Sequence, residues 1–222
     1  MNFVRNVLDE GYDNDVTATE SRELPLIASR RRGAALEDAI LEAAFCELTE
    51  VGYTAFSVES VAARARTGKA SIYRRWPTKQ ELVADALELG LPTAEQCGFV
   101  TDIDESVTTA DALREVARTV ASIVTSPVGD AMRAIKCEAM ADPELAQFID
   151  DRFQAPRRAA LVALLQRGVG RGEVRPEAAT QLVADVIPAV LTHRVIMQRE
   201  PLTERDIADI MEQVFIPLVE AR

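Results

Sequence analysis

Apolar residues in this chain recur at three- and four-residue steps, and the stretches that carry them are cut by glycine, proline and capping residues into helix-length pieces. Leu36, Ile40, Ala43, Ala44, Leu48 and Val51 give the first clear stripe. That spacing puts them on one face of a helix running from about Ala35 to Val51. Gly52 follows, where a left-handed C-terminal residue is wanted. Later stretches of the same kind cover 79–91, 110–126, 128–141, 143–168, 176–199 and 203–220. Breaks fall at Pro92, Pro127, Asp142-Pro143, Gly168 to Gly172 and Glu200-Pro201. Pro188 lies inside one stretch and is expected to kink it. Residues 93–109 form a polar, acidic connector. Aromatics make up only 5% of the chain, and Ala, Leu and Val dominate the apolar set, which favours helix on helix over sheets. The expected fold class is all-α, with no strand and no internal repeat.

Charge is segregated. The 222 residues carry a net charge of −11, yet Ser60 to Gln80 contain six basic side chains and no acidic one. They are Arg64, Arg66, Lys69, Arg74, Arg75 and Lys79, with Tyr73 and Trp76 among them. Residues 1–29 sum to −4, residues 30–80 to +3 and residues 81–222 to −10. Binding depends on the field at the contact face, so a cationic island in an acidic chain points to a polyanionic partner.

Local signals give the island a shape. Ser57 is a good N-cap for a short helix whose Val58, Val61, Ala62 and Ala65 face inward. Arg66-Thr67-Gly68 is a tight break. A third short helix runs from Lys69 to Trp76, and Thr78 and Glu81 have the spacing of a capping box for the next. Two short helices joined by a three-residue turn and braced by a longer one make a helix-turn-helix. Such a motif places its second helix in the major groove. Ile72 and Trp76 are four apart and belong on its buried face. Lys69, Ser71, Tyr73, Arg74 and Arg75 are left outward, and small Ala70 and Ser71 allow close approach to the groove floor. Lys69 suits a guanine edge. The Tyr73 hydroxyl and Arg75 suit phosphates. Lys79, at the mouth of the next helix, lies beside exposed backbone amides, a phosphate-binding arrangement. Arg30-Arg31-Arg32 fits either a basic arm or a solvated helix entry.

Ser57-Val58-Glu59-Ser60-Val61-Ala62-Ala63-Arg64-Ala65, followed by Gly68-Lys69-Ala70-Ser71-Ile72-Tyr73-Arg74-Arg75-Trp76-Pro77-Thr78-Lys79, resembles the DNA-binding region of the TetR family of transcriptional regulators. The resemblance covers about residues 34–90. It is specific because the Tyr, the following aromatic and the Lys after the turn occur together in order. It implies an N-terminal three-helix DNA-binding domain followed by a helical ligand-binding and dimerisation domain, and DNA roles for Lys69, Ser71, Tyr73, Arg75 and Lys79. Two positions depart from the family's pattern. Arg66 stands where the turn often carries Gly, adding a phosphate-binding cation at a less comfortable backbone angle. Thr67 stands where an aliphatic residue is common. The expected organisation is an N-terminal arm over 1–29, the helix-turn-helix domain over 30–80 and an effector and dimerisation domain over 81–222.

A single short reading helix buries too little for specific binding, and two-fold dimers solve this by reading a palindrome. Val183, Ile187, Val190 and Leu191, then Ile207, Ile210, Met211, Val214, Phe215 and Leu218, form broad apolar stripes in the last two helices. They fit an intramolecular core or a dimer interface, and the resemblance implies a four-helix dimer bundle there. An inducer pocket is expected in residues 80–200. Met132, Ile135, Met140, Phe148, Phe153 and Leu165 suit an adaptable apolar cavity or an ordinary core. Release of DNA by a small-molecule effector follows from the resemblance alone.

An enzyme is disfavoured by the lone His193, the absence of metal spacing among Cys46, Cys97 and Cys137, and the lack of a phosphate loop or Gly-x-Ser-x-Gly elbow. No catalytic residue, metal site or cofactor is expected. No apolar run approaches the roughly 20 residues that span a bilayer, so a soluble cytoplasmic protein is expected. The expected function is a ligand-responsive homodimeric repressor that binds a palindromic double-stranded DNA operator. An activator of the same fold, or a helical module docking an acidic protein on its basic face, stand as alternatives.

Overall fold

The computed structural model describes residues 25–91, 106–198 and 202–221, with side chains from Gly33 onward except those of 197 and 198. The arm expected over 1–29, Cys97, most of the acidic connector and the side chains of Arg30 to Arg32 lie outside what is described. The chain divides into two units, Met1–Ala35 and Leu36–Arg222, and both apolar cores belong to the second.

Twelve α-helices are described: α1 (Pro25–Ala55), α2 (Val58–Arg64), α3 (Lys69–Tyr73), α4 (Lys79–Gly90), α5 (Thr109–Val124), α6 (Pro127–Ala139), α7 (Pro143–Ile149), α8 (Ala155–Gly170), α9 (Gln181–Ala184), α10 (Val186–Gln198), α11 (Glu204–Ile210) and α12 (Ile216–Val219). Among the described residues the one extended pairing is an isolated bridge between Val174 and Glu220. The all-α fold therefore follows from the apolar periodicity. The starts are written in side chains. Ser57, Thr108, Ser126 and Asp142 each accept a hydrogen bond from a backbone amide of the turn they open. Thr78 with Glu81, and Thr203 with Asp206, form complete capping boxes.

Three expected helices are interrupted, each near a proline. Residues 143–168 contain a π turn at Asp150–Gln154, two residues ahead of Pro156; 203–220 contain one at Met211–Phe215, two ahead of Pro217. In both, the amide after the turn bonds five residues back, Ala155 to Asp150 and Ile216 to Met211. Proline cannot donate to the fourth carbonyl back and its ring crowds that oxygen, so the helix loosens just upstream. Residues 176–199 are not one kinked helix: a 3-10 turn at Pro176–Ala178 precedes α9, and the break at Asp185 comes three residues before Pro188. Pro188 lacks the N–H that would bond the Ala184 carbonyl. The reading helix ends at Tyr73 rather than Trp76, although the Trp76 amide still bonds the Ile72 carbonyl at 2.9 Å.

Two apolar cores form. One joins Ile40, Leu48, Ile72, Trp76, Leu82 and Leu87 to Val128, Ile135, Leu145 and Phe153, so it continues beyond residue 80 into α4, α6 and α7. The other packs α5 and α8 against α9 to α12 through Leu113, Leu165, Ile187, Leu191 and Phe215. Gly129 lets the end of α5 meet the start of α6: a Cβ there would stand 2.3 Å from the Ile123 carbonyl oxygen.

Candidate nucleic-acid interface

The helix-turn-helix is built on a buried hinge. Val58, Val61 and Ala62 of α2 and Ile72 of α3 are buried, with Ile72 at 0% exposure and Trp76 at 4%. This fixes the outward side of α3. Lys69, Ala70, Tyr73 and Arg74 are exposed there, while Ser71 and Arg75 are half-buried. Tyr73 is 48% exposed, unusual for so large a ring.

The turn is a Schellman motif. The Thr67 amide bonds the Ala62 carbonyl at 2.9 Å and the Arg66 amide bonds the Ala63 carbonyl at 3.2 Å. That geometry needs a left-handed residue at its apex. Arg66 supplies it at φ +50°, the only non-glycine with positive φ among the described residues. The end of α8 uses the same motif with Gly172, at φ +71°, in that place.

The six cations are not equivalent. Arg64 is drawn off the face by a two-pronged pair with Glu50, at 2.5 and 3.0 Å, and by the buried Glu47 at 3.7 Å. The Glu50 hydrogen bond holds the Arg64 pKa up and the Glu50 pKa down. Lys69 pairs with Glu59 at 2.5 Å, which raises its pKa; both side chains are solvent-exposed, so the pair is weak and exchangeable. Arg75 donates to the Ser71 carbonyl and hydroxyl at 3.0 Å each and lies 4.0 Å from Glu37. Arg66 and Arg74 make no side-chain hydrogen bond or ion pair among the described residues, so their charge is fully available.

Lys79 departs furthest from its sequence reading. Its ammonium donates to the Tyr53 carbonyl at 2.5 Å and sits 4.2 Å above the Tyr53 ring centroid and 5.6 Å from that of Phe56. Burial lowers its pKa, and Glu138 acts in the opposite direction. It latches the end of α1, where Gly52 at φ +75° breaks the helix, to the start of α4.

Sequence reasoning missed the support behind α3. The Trp76 indole N–H donates to Asp85 of α4 at 2.8 Å; the other Asp85 oxygen accepts from Arg152 at 2.8 Å, and Arg152 also holds Glu88 at 3.0 Å. No local signal links positions 67 residues apart.

A second site lies apart from this face. A cavity of about 700 Å3 opens between α5, α6, α8 and α10. Met132, Met140 and Phe153 line it as the sequence suggested. Ile135 and Phe148 do not; they pack with Tyr53, Val83 and Leu145 against α4, and Leu165 is buried in the second core. The reason is helical phase. Ala131, Ile135 and Ala139 form the stripe of α6 that faces the first core; Met132 borders both that core and the cavity, and Lys136 turns to the cavity.

Known proteins resemble this chain over both of its parts. The profile described as "Bacterial regulatory proteins, tetR family" matches residues 40–86, and that described as "Tetracyclin repressor-like, C-terminal domain" matches residues 104–214. A DNA-binding transcriptional repressor TetR of Mycobacteroides abscessus is 32% identical over 193 residues, covering 85% of this chain and 96% of that one. The chain belongs to the TetR family of transcriptional regulators. An uncharacterised HTH-type transcriptional regulator of Mycobacterium bovis is 30% identical over 172 residues, 77% of this chain and 81% of that one. Among solved structures, Salmonella enterica GusR superposes with a TM-score of 0.69 at 18% identity, covering 83% of this chain and 95% of that chain. At that identity the likeness speaks for the fold. Members of this family are DNA-binding transcription factors rather than enzymes, and no described helix is long and apolar enough to cross a membrane.

In this TetR-family chain the apolar stripes of the last helices are largely used internally. Ile187, Leu191, Ile207, Ile210, Met211 and Phe215 are buried in the second core, where α10 and α11 pack on α5. Val183, Val190 and Leu218 are half-buried, and Val214 is 46% exposed. Leu182, at 79% exposure, and Ile196, at 49%, lie open beside them in sequence and were not anticipated.

Proposed function

We propose that this regulator is a homodimeric repressor that binds an inverted-repeat operator and is released by a small molecule in the cavity. The observation that carries the reading is the exposed face of α3 and its turn: Arg66, Lys69, Tyr73 and Arg74 outward over a hinge locked by Ile72 and Trp76. Arg66, Tyr73, Arg74 and Arg75 serve as phosphate contacts, Lys69 reads a base edge after exchanging Glu59 for DNA, and Ala70 and Ser71 let the helix approach. Lys79 keeps α1 and α4 in register for docking. The partner subunit packs on the apolar surface that the second core leaves open, around Val190, Val214 and Leu218.

Release requires a ligand that binds two conformations unequally. Phe153 and Gln154 line the cavity from the same π turn that carries Arg152, and Arg152 grips Asp85, which holds Trp76 at the end of the reading helix. Repacking of Phe153 around a ligand thereby tilts α4 and the reading helix together.

The test is selection of bound duplexes from a random DNA pool at about physiological salt, because affinity without a stated salt is uninterpretable. Enrichment of an inverted repeat, with light scattering at the dimer mass, is the expected result. Salt-sensitive background binding without enrichment refutes it.

A further inference from the structure

We propose that the cavity takes a small apolar acid, with its carboxylate seated on the Lys136 ammonium and the Arg157 guanidinium. The inference rests on the effector-pocket reading above and adds the ligand's charge.

The cavity wall is mostly hydrocarbon, including Val120, Ile123, Met132, Phe153 and Ile196, yet it holds four cations, Arg133, Lys136, Arg157 and Arg158, against one carboxylate, Asp185. Such an excess of positive charge stands out in a chain of net charge −11. Arg133 is paired with Asp130 and donates to the Val124 carbonyl; Arg158 bridges Asp150 at 3.2 Å and Asp185 at 2.9 Å. Arg157 lies along the wall, donating to the Phe153 carbonyl at 2.7 Å with its guanidinium 5.9 Å from the Phe153 ring centroid.

Lys136 has neither a hydrogen bond nor an ion pair among the described residues. Its side chain is exposed and lines the cavity. Burial and the neighbouring Arg157 both push its pKa down, and Asp150 opposes them. An ammonium on a mostly apolar wall, with no partner among the described residues, favours an anion over a neutral group. An anion in the cavity pairs with it, a neutral ligand leaves it unpaired, and a cation is repelled. The volume decides the rest: about 700 Å3 falls within the range of organic-ligand pockets and far exceeds a bare anion. The apolar wall therefore asks for a hydrocarbon body behind the charged head.

The experiment is calorimetric titration of the full chain with decanoate and phenylbutyrate, their primary amides and the matching amines. It is repeated on Lys136→Met, with thermal melting as the check that the variant folds. At least one acid is expected to bind about tenfold or more tightly than its amide, with the amine weakest. In Lys136→Met the acid falls to the amide's level while the amide is unchanged. Amides that equal or beat their acids, or a preference for acids that survives Lys136→Met, overturn the charge assignment and leave the effector pocket standing. Failure of every compound to bind overturns the pocket reading along with it.

Discussion

Replacing Arg66 with glycine should make the protein more stable and a poorer DNA binder at once. Arg66 occupies the left-handed apex of the Schellman turn at φ +50°. A left-handed conformation costs a residue with a Cβ about 1–2 kcal/mol, and glycine escapes it. Glycine gives part of this back, because its unfolded chain is freer by roughly 0.5–1 kcal/mol. The two turn hydrogen bonds, Thr67 to Ala62 and Arg66 to Ala63, are backbone bonds and survive. The Arg66 side chain has no partner among the described residues, so its removal breaks nothing else. The net gain is about 0.5–1 kcal/mol, or roughly 1–4 °C in melting temperature for a chain of this size. On the operator, losing one phosphate contact per subunit should lower the slope of log affinity against log salt by about 1 per subunit, about 2 for a dimer. Thermal melting by circular dichroism and fluorescence anisotropy across a salt series measure the two effects. Arg66→Ala separates them, because alanine keeps the strain and loses the charge: the salt slope should fall without any gain in melting temperature. An Arg66→Gly protein no more stable than Arg66→Ala refutes the strain argument, and an unchanged salt slope removes Arg66 from the interface.

Tyr73→Ala should weaken all DNA binding with little change in melting temperature, since the ring is 48% exposed, whereas Lys79→Ala should lower both, because it also removes the link to the Tyr53 carbonyl; anisotropy and melting together distinguish them. Gly129→Ala should cost about 1–3 kcal/mol in urea unfolding, an overpacking penalty set by the 2.3 Å approach to the Ile123 oxygen. Lys136→Met should raise stability at pH 7 only slightly, because the residue is exposed and its charge is screened by solvent. The lysine's folded pKa lies below its unfolded value, so its penalty is complete below the folded pKa and vanishes above the unfolded one, near ~10.4. Urea unfolding should show the advantage of the variant shrinking as pH rises towards that value, and a constant gap would place the effect elsewhere than in the Lys136 charge.

Much of the reading head was legible because its determinants are local. Ser57, Gly52 and the Thr78–Glu81 box act within a turn of their own positions, and the four-residue step from Ile72 to Trp76 says which side of α3 is buried. The sequence also flagged Arg66 as an uncomfortable occupant of its turn, and the positive φ is that discomfort made visible. What stayed hidden depends on distant partners. Nothing near Lys79 announces that Tyr53 will take its ammonium, and nothing near Asp85 announces Arg152. The phase of α6 was missed for a related reason: both its faces carry apolar residues, and only packing against α4 decides that Ile135 goes to the core and Lys136 to the cavity. Met and Phe mark only the apolar part of the cavity wall, whereas the cations that give it its character come from α6 and α8 with no shared local pattern. An apolar stripe is likewise blind to who covers it, which is why Ile187 and Leu191 lie in the protomer's own core.

The contact between Trp76 and Asp85 has a spectroscopic consequence. Trp76 is the only tryptophan in the chain, and its indole nitrogen is bonded to a carboxylate that also anchors Arg152. Light absorbed by tryptophan is thus emitted from a single place, the joint where the reading helix meets the rest of the molecule. Movement of the charged groups at that joint shifts the emission colour, and loosening of the ring changes its anisotropy. The unlabelled protein therefore carries its own optical gauge, against which operator and effector can be titrated in the same cuvette.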